Sequence, residues 1–215
     1  MSVEADFHIH TKYSPDSLLE PKTVVKLALK RGLLAIAITD HNTIKGSLAV
    51  MNEARSVKNL IVIPGIEVKT NLGDIIGLYV QEEIKTREFH SVMDEIRDQD
   101  GLVILPHPYH KHRGVIRELA VSVDVIEALN GRISHTKNMN ALKLAYDLNK
   151  PVVACSDAHF PFEIGRVKTK FYSDLDDPEE LRKLILDGKR KLIGKESPFI
   201  VHCFSFATRL VKRAL

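Results

Sequence analysis

The sequence predicts a single α/β domain in which strands close into a barrel, and three observations predict it. Short apolar runs alternate with longer amphipathic segments along the chain, the pattern of repeated strand–helix units. At 215 residues the chain suits one domain with a substantial core. Five candidate strands end in histidine, aspartate or glutamate. A barrel delivers every strand end to one face, whereas an open doubly wound sheet would spread them along a line.

The first strand spans Val3–Ile9. A helix follows from Pro21, since proline suits a first helical turn, to Arg31, with Gly32 placed to stop it. Leu33–Thr39 is nearly all apolar, as expected of a strand covered on both faces. A second helix runs from about Lys45 to Val57, and a third strand through Leu60–Ile63 leads to Glu67. Asn71–Asp74 reads as a turn, from which a strand, Ile75–Val80, returns. Thr86 is placed to cap a helix ending near Gly101, and the strand Leu102–Leu105 stops at Pro106-His107-Pro108. Val123–Ala128, Val152–Cys155 and Lys191–Ile193 complete seven or eight strands. Helices fill Ser134–Asn149 and Pro178–Gly188, the latter opened by an Asp177 cap, a proline and two acids. A last helix, about 199–214, either packs back on the barrel or presents an oligomer contact, and periodicity does not decide. With no repeat, linker or low-complexity run, residues 1–215 read as one barrel domain.

The strand ends carry the chemistry. Asp6, His8 and His10 alternate, so an extended strand would point all three the same way. The next strand ends in Thr39-Asp40-His41, the third in Gly65-Ile66-Glu67, the fifth at His107 and the seventh in Ser156-Asp157-Ala158-His159. Imidazole and carboxylate are the ligands that suit zinc, manganese or iron. Burying so many ionisable groups without a cation would be strongly unfavourable. His90, His110, His112, His135 and His202 lack this placement and read as ordinary polar residues.

Composition narrows the classes. Hydrophobic residues make up 44% and charged residues 27%, an ordinary globular mixture. With 31 basic and 28 acidic residues, the net charge of +3 gives no argument for nucleic acid, though phosphate ligands would not be repelled. Cys155 and Cys203 are too few for a disulfide framework. Met1–Glu4 shows no signal-peptide pattern, and the apolar run Leu33–Thr39 is far below the about 20 residues of a membrane span. The cytosol is the expected compartment, with no membrane partner.

The ordered set Asp6-x-His8-x-His10, Thr39-Asp40-His41, Gly65-x-Glu67, Pro106-His107-Pro108 and Ser156-Asp157-x-His159 resembles the PHP (polymerase and histidinol phosphatase) family. The resemblance covers roughly residues 3 to 195. It implies a distorted, TIM-like (β/α)7 barrel and a site holding two to three divalent ions (Mn, Zn or Fe) that hydrolyses phosphate esters. It implies that His8, His10, Glu67 and Asp157 hold a first metal, with Glu67 bridging to a second. Asp16, His41 and His159 would hold a third, and His107 the second. There this chain departs from the family, placing Asp74 where a histidine is usual. Asp6 and Asp40 are expected either to accept from metal-bound imidazoles or to stabilise turns.

A metal-activated water would attack the phosphorus, with His159, Asp157 and His41 as the catalytic set and His159 a candidate proton donor to the leaving alkoxide. Arg132 and Arg166 are the expected phosphate anchors, ahead of Lys12 and Arg113. Only 40 residues separate Glu67 from His107, too few for a cap domain, so an open site suited to a nucleotide or oligonucleotide end is expected. Alternatives are a histidinol-phosphate-type small-metabolite phosphatase and a noncatalytic metal-binding or RNA-associated subunit.

Overall fold

The computed structural model describes residues 2–110, 116–173, 175, 178–198 and 200–214. Among them are nine strands: β1 (Val3–Ile9), β2 (Ala35–Ile38), β3 (Ile61–Lys69), β4 (Asp74–Leu78), β5 (Leu102–Leu105), β6 (Val125–Asn130), β7 (Val152–Cys155), β8 (Val167–Phe171) and β9 (Arg190–Gly194). The helices are α1 (Pro21–Lys30), α2 (Lys45–Ala54), α3 (Phe89–Asp98), α4 (Ile116–Ser122), α5 (His135–Asp147), α6 (Pro178–Asp187) and α7 (Ile200–Ala214). The expected Asp177 cap, Phe199, His112 and Arg113 lie outside the described residues.

The strands form one sheet in the order β7-β6-β5-β4-β3-β2-β1-β8-β9. It curls until β1 meets the end of β7, where His10 N–H donates to Ala158 O (2.9 Å) and Ala158 N–H to His8 O (3.3 Å). The result is a nearly closed barrel, as the strand ends predict. It is distorted because β4 runs antiparallel to both β3 and β5, the return expected after Asn71–Asp74. Inside, Ala5, Phe7, Ala37, Ile76, Ile104 and Val153 pack as one cluster, while two further clusters fill the space between sheet and helices. Burial of apolar area on both faces stabilises the sheet at roughly 25 cal/mol per Å².

Two elements escape the sequence reading. One is α4; the other is β8, whose pattern Val-Lys-Thr-Lys-Phe alternates buried and half-buried residues. Its lysines face outward, where Lys168 and Lys170 reach Glu4 at 2.6 and 3.6 Å. Two lysines in five residues hid a strand whose other face buries Val167, Thr169 and Phe171. The cap of α3 also differs: Glu88, not Thr86, accepts from Ser91 N–H at 2.8 Å.

Candidate metal centre

Two β-bulges aim the site. β1 has an extra residue relative to β2 between Asp6 and Ile9, and a bulge of this kind re-aims the side chains around it. His8 and His10 share the barrel mouth, Nε2 to Nε2 at 3.0 Å. Asp6, expected beside them, instead accepts from Ser156 N–H (2.9 Å), Ser156 Oγ–H (2.5 Å) and Gly165 N–H (2.8 Å). It buttresses a turn, and no imidazole is among these partners. Burial pushes its pKa up to about 6, against the lowering effect of those donors. The second bulge, in β6 between Glu127 and Leu129, accompanies a carboxylate that sequence reasoning passed over. Glu127 Oε1 stands 3.0 Å from His8 Nδ1, and Oε2 accepts from His107 N–H at 2.7 Å and from Asn130 Nδ2 at 2.9 Å. Its signal was an acid between Ile126 and Ala128 in a mainly apolar strand.

The mouth gathers the expected residues into three overlapping groups. Ligand atoms of His8, His10 and Asp157 lie within 4.8 Å of one another, as do those of Glu67, Asp74 and His107, and those of His10, His41 and His159. Asp16 joins the last group, 3.6 Å from His41 Nε2 and 3.4 Å from His159 Nε2. Glu67 stands between groups: Oε1 is 3.2 Å from His107 Nε2, while Oε2 is 2.9 Å from His41 Nδ1 and 3.3 Å from His10 Nε2. Asp74, at the start of β4, therefore reaches the cluster from the strand that returns after the turn. Two ligand positions sit on backbone with positive φ, Asp157 at 54° and His107 at 31°. Such sparsely populated conformations cost about 1–3 kcal/mol and persist where surrounding structure over-determines them.

Behind the cluster, a hydroxyl fixes the orientation of His10. Ser14 Oγ donates to Asp40 Oδ1 (2.6 Å) and accepts from His41 N–H (3.0 Å). Its remaining lone pair faces His10 Nδ1 at 3.0 Å, so that nitrogen carries the proton and Nε2 presents a lone pair to the mouth. Asp40 thus acts on an imidazole one step removed, rather than directly as expected. Thr11 supplies Asp40 with two more donors, N–H at 2.7 Å and Oγ–H at 2.6 Å. Close approach of α2 to this carboxylate requires Gly46, where a Cβ would fall 1.7 Å from Asp40 Oδ2. Glu163 steadies His159 from the backbone side, accepting its N–H at 3.0 Å.

The arginines depart from expectation. Arg132 is buried, and its Nη2 donates to Val201 O (2.9 Å) and Ser205 Oγ (2.8 Å) of α7, while Nε lies 3.4 Å from Glu163. Exposed Arg166 donates to the carbonyls of Lys195 and Glu196. Both guanidinium groups are engaged with the C-terminal segment rather than with the cluster. From α7, Arg209 Nη2 donates to Asp16 Oδ2 at 2.9 Å, at the edge of the mouth. From the next turn, Lys212 Nζ donates to the carbonyls of Lys12, Ser14 and Ser17 at 2.5, 2.6 and 2.9 Å. His202 and His135 stay out of the cluster, on Arg132 O and Glu196. His110 stands edge-on to His107, with ring centroids 5.5 Å apart.

The carboxylates of the mouth favour positive charge on three of its imidazoles. Burial opposes charge on His8, yet Asp157, Glu67 and Glu127 hold its pKa well above the usual histidine value. His41 is raised against burial by Glu67 and Asp16, and His107 by Glu67. His10 goes the other way, to about 3, through burial and the neighbouring His159 and His41. Despite burial, the imidazoles hold Glu67, Asp157 and Asp16 below the ordinary carboxylate range. Two oxygens, Glu67 Oε2 and Asp16 Oδ1, are buried without a well-formed hydrogen bond. Converging imidazole lone pairs and orphaned carboxylate oxygens are the donor set that a divalent cation of the zinc, manganese or iron type satisfies. The residues fit the group.

The PHP domain family profile matches residues 6–185. Over 191 residues the chain is 32% identical to the uncharacterized protein MJ0417 of Methanocaldococcus jannaschii, covering 83% of this chain and 75% of that one. It is 42% identical over 105 residues to the 5'-3' exoribonuclease Rnm of Salmonella typhimurium, 46% of this chain and 36% of that protein. A solved structure of a candidate metal-dependent phosphoesterase from Bifidobacterium adolescentis superposes with a TM-score of 0.63 at 14% identity, covering 84% of this chain and 95% of that one. No described helix is long and apolar enough to cross a membrane.

Proposed function

The chain belongs to the PHP domain family, and from that premise we propose that it hydrolyses phosphate esters, with nucleotides or oligonucleotide ends as substrates. Two to three divalent cations (Mn, Zn or Fe) would be held by His8, His10, Glu67 and Asp157, by His107 with Asp74, and by Asp16 with His41 and His159. Bound there, the cations would lower the pKa of a water and offset charge on the phosphate oxygens. The chain's own part is to preorganise. Glu127 and Ser14 orient the His8 and His10 rings through Nδ1. His159 stands at the Asp16 edge, 3.4 Å from that carboxylate. There it can hand a proton to the leaving alkoxide, and His41 and Asp157 complete the catalytic set.

The observation that carries this reading is the face-to-face approach of His8 Nε2 and His10 Nε2 at 3.0 Å, ringed by Glu67 and Asp157 oxygens at 3.3–3.5 Å. Two imidazole lone pairs aimed at one point need a proton or a cation between them. Cation loading therefore releases protons, and acid reverses it. The likeness to an exoribonuclease favours nucleotide substrates. Elemental analysis of the purified protein, followed by phosphate release from nucleotides, oligonucleotides and sugar phosphates, tests the proposal. Bound divalent metal with release from nucleotides or oligonucleotides is expected. Metal without release from any ester would end the enzymatic reading, and release from small metabolite monophosphates alone would end the nucleotide one.

A further inference from the structure

Three aromatic rings meet beside the last ligand-bearing strand end. Phe160 directly follows His159; its ring stacks on Phe162 (centroids 5.9 Å, planes 6° apart) and takes Phe204 of α7 edge-on at 6.0 Å. Phe162 is 49% and Phe204 48% exposed. None of the three belongs to the apolar clusters that fill the barrel and its helical layer. Apolar rings are normally buried, so a stack left half in water beside a cluster of ligand residues needs a reason.

The helix that contributes Phe204 is anchored to the site rather than draped over it. Val201 and Ser205 receive Arg132, Arg209 holds Asp16, and Lys212 caps three carbonyls of the loop after β1. One helix thus brings an aromatic face and two cations to the rim of a cluster rich in carboxylates. A second copy of the chain would have use for the rings. Phe160, however, is the next residue after His159, so the rings border the cluster at which the phosphate of a nucleotide would be held.

We infer that α7 is the recognition wall of the substrate site, with Phe160, Phe162 and Phe204 forming the surface on which a nucleobase stacks while its phosphate lies at the neighbouring imidazole and carboxylate cluster. This deepens the phosphoesterase reading and rests on it for the position of the phosphate. Stacking on an aromatic face accepts every base, so the wall separates esters that carry a base from esters that do not, and is tolerant among the bases.

The test compares kcat/KM for adenosine monophosphate and for ribose 5-phosphate, using the full chain with manganese. In Phe204→Ala the ratio of the two values falls roughly 5- to 100-fold, the span expected for one lost base–aromatic contact; Phe204→Trp restores it. Saturation-transfer NMR with adenosine, which has a base and no phosphate, gives a readout independent of turnover. Transfer to the base protons is expected in the wild type and lost in Phe204→Ala. An equal fall on both esters, or an unchanged ratio, overturns the inference. So does an unchanged ratio accompanied by dissociation of a dimer on sizing, which assigns the rings to contact between copies. If the wild-type protein cleaves neither ester, that counts against monophosphates as substrates and not against the stacking surface, which the adenosine spectrum still decides.

Discussion

The two ends of the barrel handle charge in opposite ways. At the end where β5, β6 and β7 begin, each cation has its own acceptor near water. Arg182 forks onto Asp100 with two contacts of 3.1 Å, Arg97 meets Asp124 at 3.1 Å, and Lys150 caps the carbonyls of Val121 and Val123. At the other end, His8, His10, Glu67, Glu127, Asp157 and His159 are all buried and crowd one another without one-to-one pairing. Surface pairs of the first kind contribute at most about 1 kcal/mol each. Groups of the second kind are costly to bury, and the balance closes only with added positive charge. Charge at the far end sits near water in pairs; charge at the mouth is sunk and crowded.

The sharpest way to break this contrast is to empty the mouth. His8→Ala with His10→Ala removes the two nitrogens that face each other and should abolish phosphate release, a loss on the order of a thousandfold or more given the several kcal/mol a metal contributes. Metal content should fall in step, while far-UV circular dichroism stays unchanged. Retained turnover in that double variant would mean that the chemistry lies elsewhere. Next in size is Glu127→Gln, which keeps the shape and an acceptor oxygen but deletes the charge behind His8 Nδ1. Loss of such a carboxylate typically weakens metal binding about 10- to 100-fold. Competition against a chelator measures it, and undiminished affinity would reduce Glu127 to a packing residue.

Much of the mouth was legible because a strand that must be apolar announces its end. His41, Glu67, His107 and Asp157 each follow a short apolar run, and the β–α alternation told that those ends converge. What stayed hidden depends on backbone irregularity or on long-range docking. A bulge adds no residue type of its own, so nothing in Asp6-x-His8-x-His10 reveals that Asp6 turns to Ser156 and Gly165. Glu127 lay inside a strand read only for its apolar residues. Arg132 looked free because its partners, Val201 and Ser205, are about seventy residues distant and carry no motif. The stretch between Glu67 and His107 holds only β4, α3 and β5, as its length suggested, but length could not foresee that the last helix would reach Asp16 through Arg209.

The smallest effect belongs to the far end of the barrel, and it is informative for that reason. Arg182 stands over the Tyr79 ring at 5.3 Å and forks onto Asp100, whose side chain is 92% exposed. Water and salt screen a carboxylate so placed, and holding two long side chains in one geometry costs entropy, so little net attraction remains. Arg182→Ala should lower stability by under about 1 kcal/mol, read as a small shift in the urea midpoint that shrinks further in high salt. Turnover and metal content should not change, because Arg182 forks onto Asp100 and stands over Tyr79 at the end of the barrel away from the mouth. A loss of several kcal/mol would show that this end, too, hides a charge it cannot do without, and the contrast between the two ends would collapse.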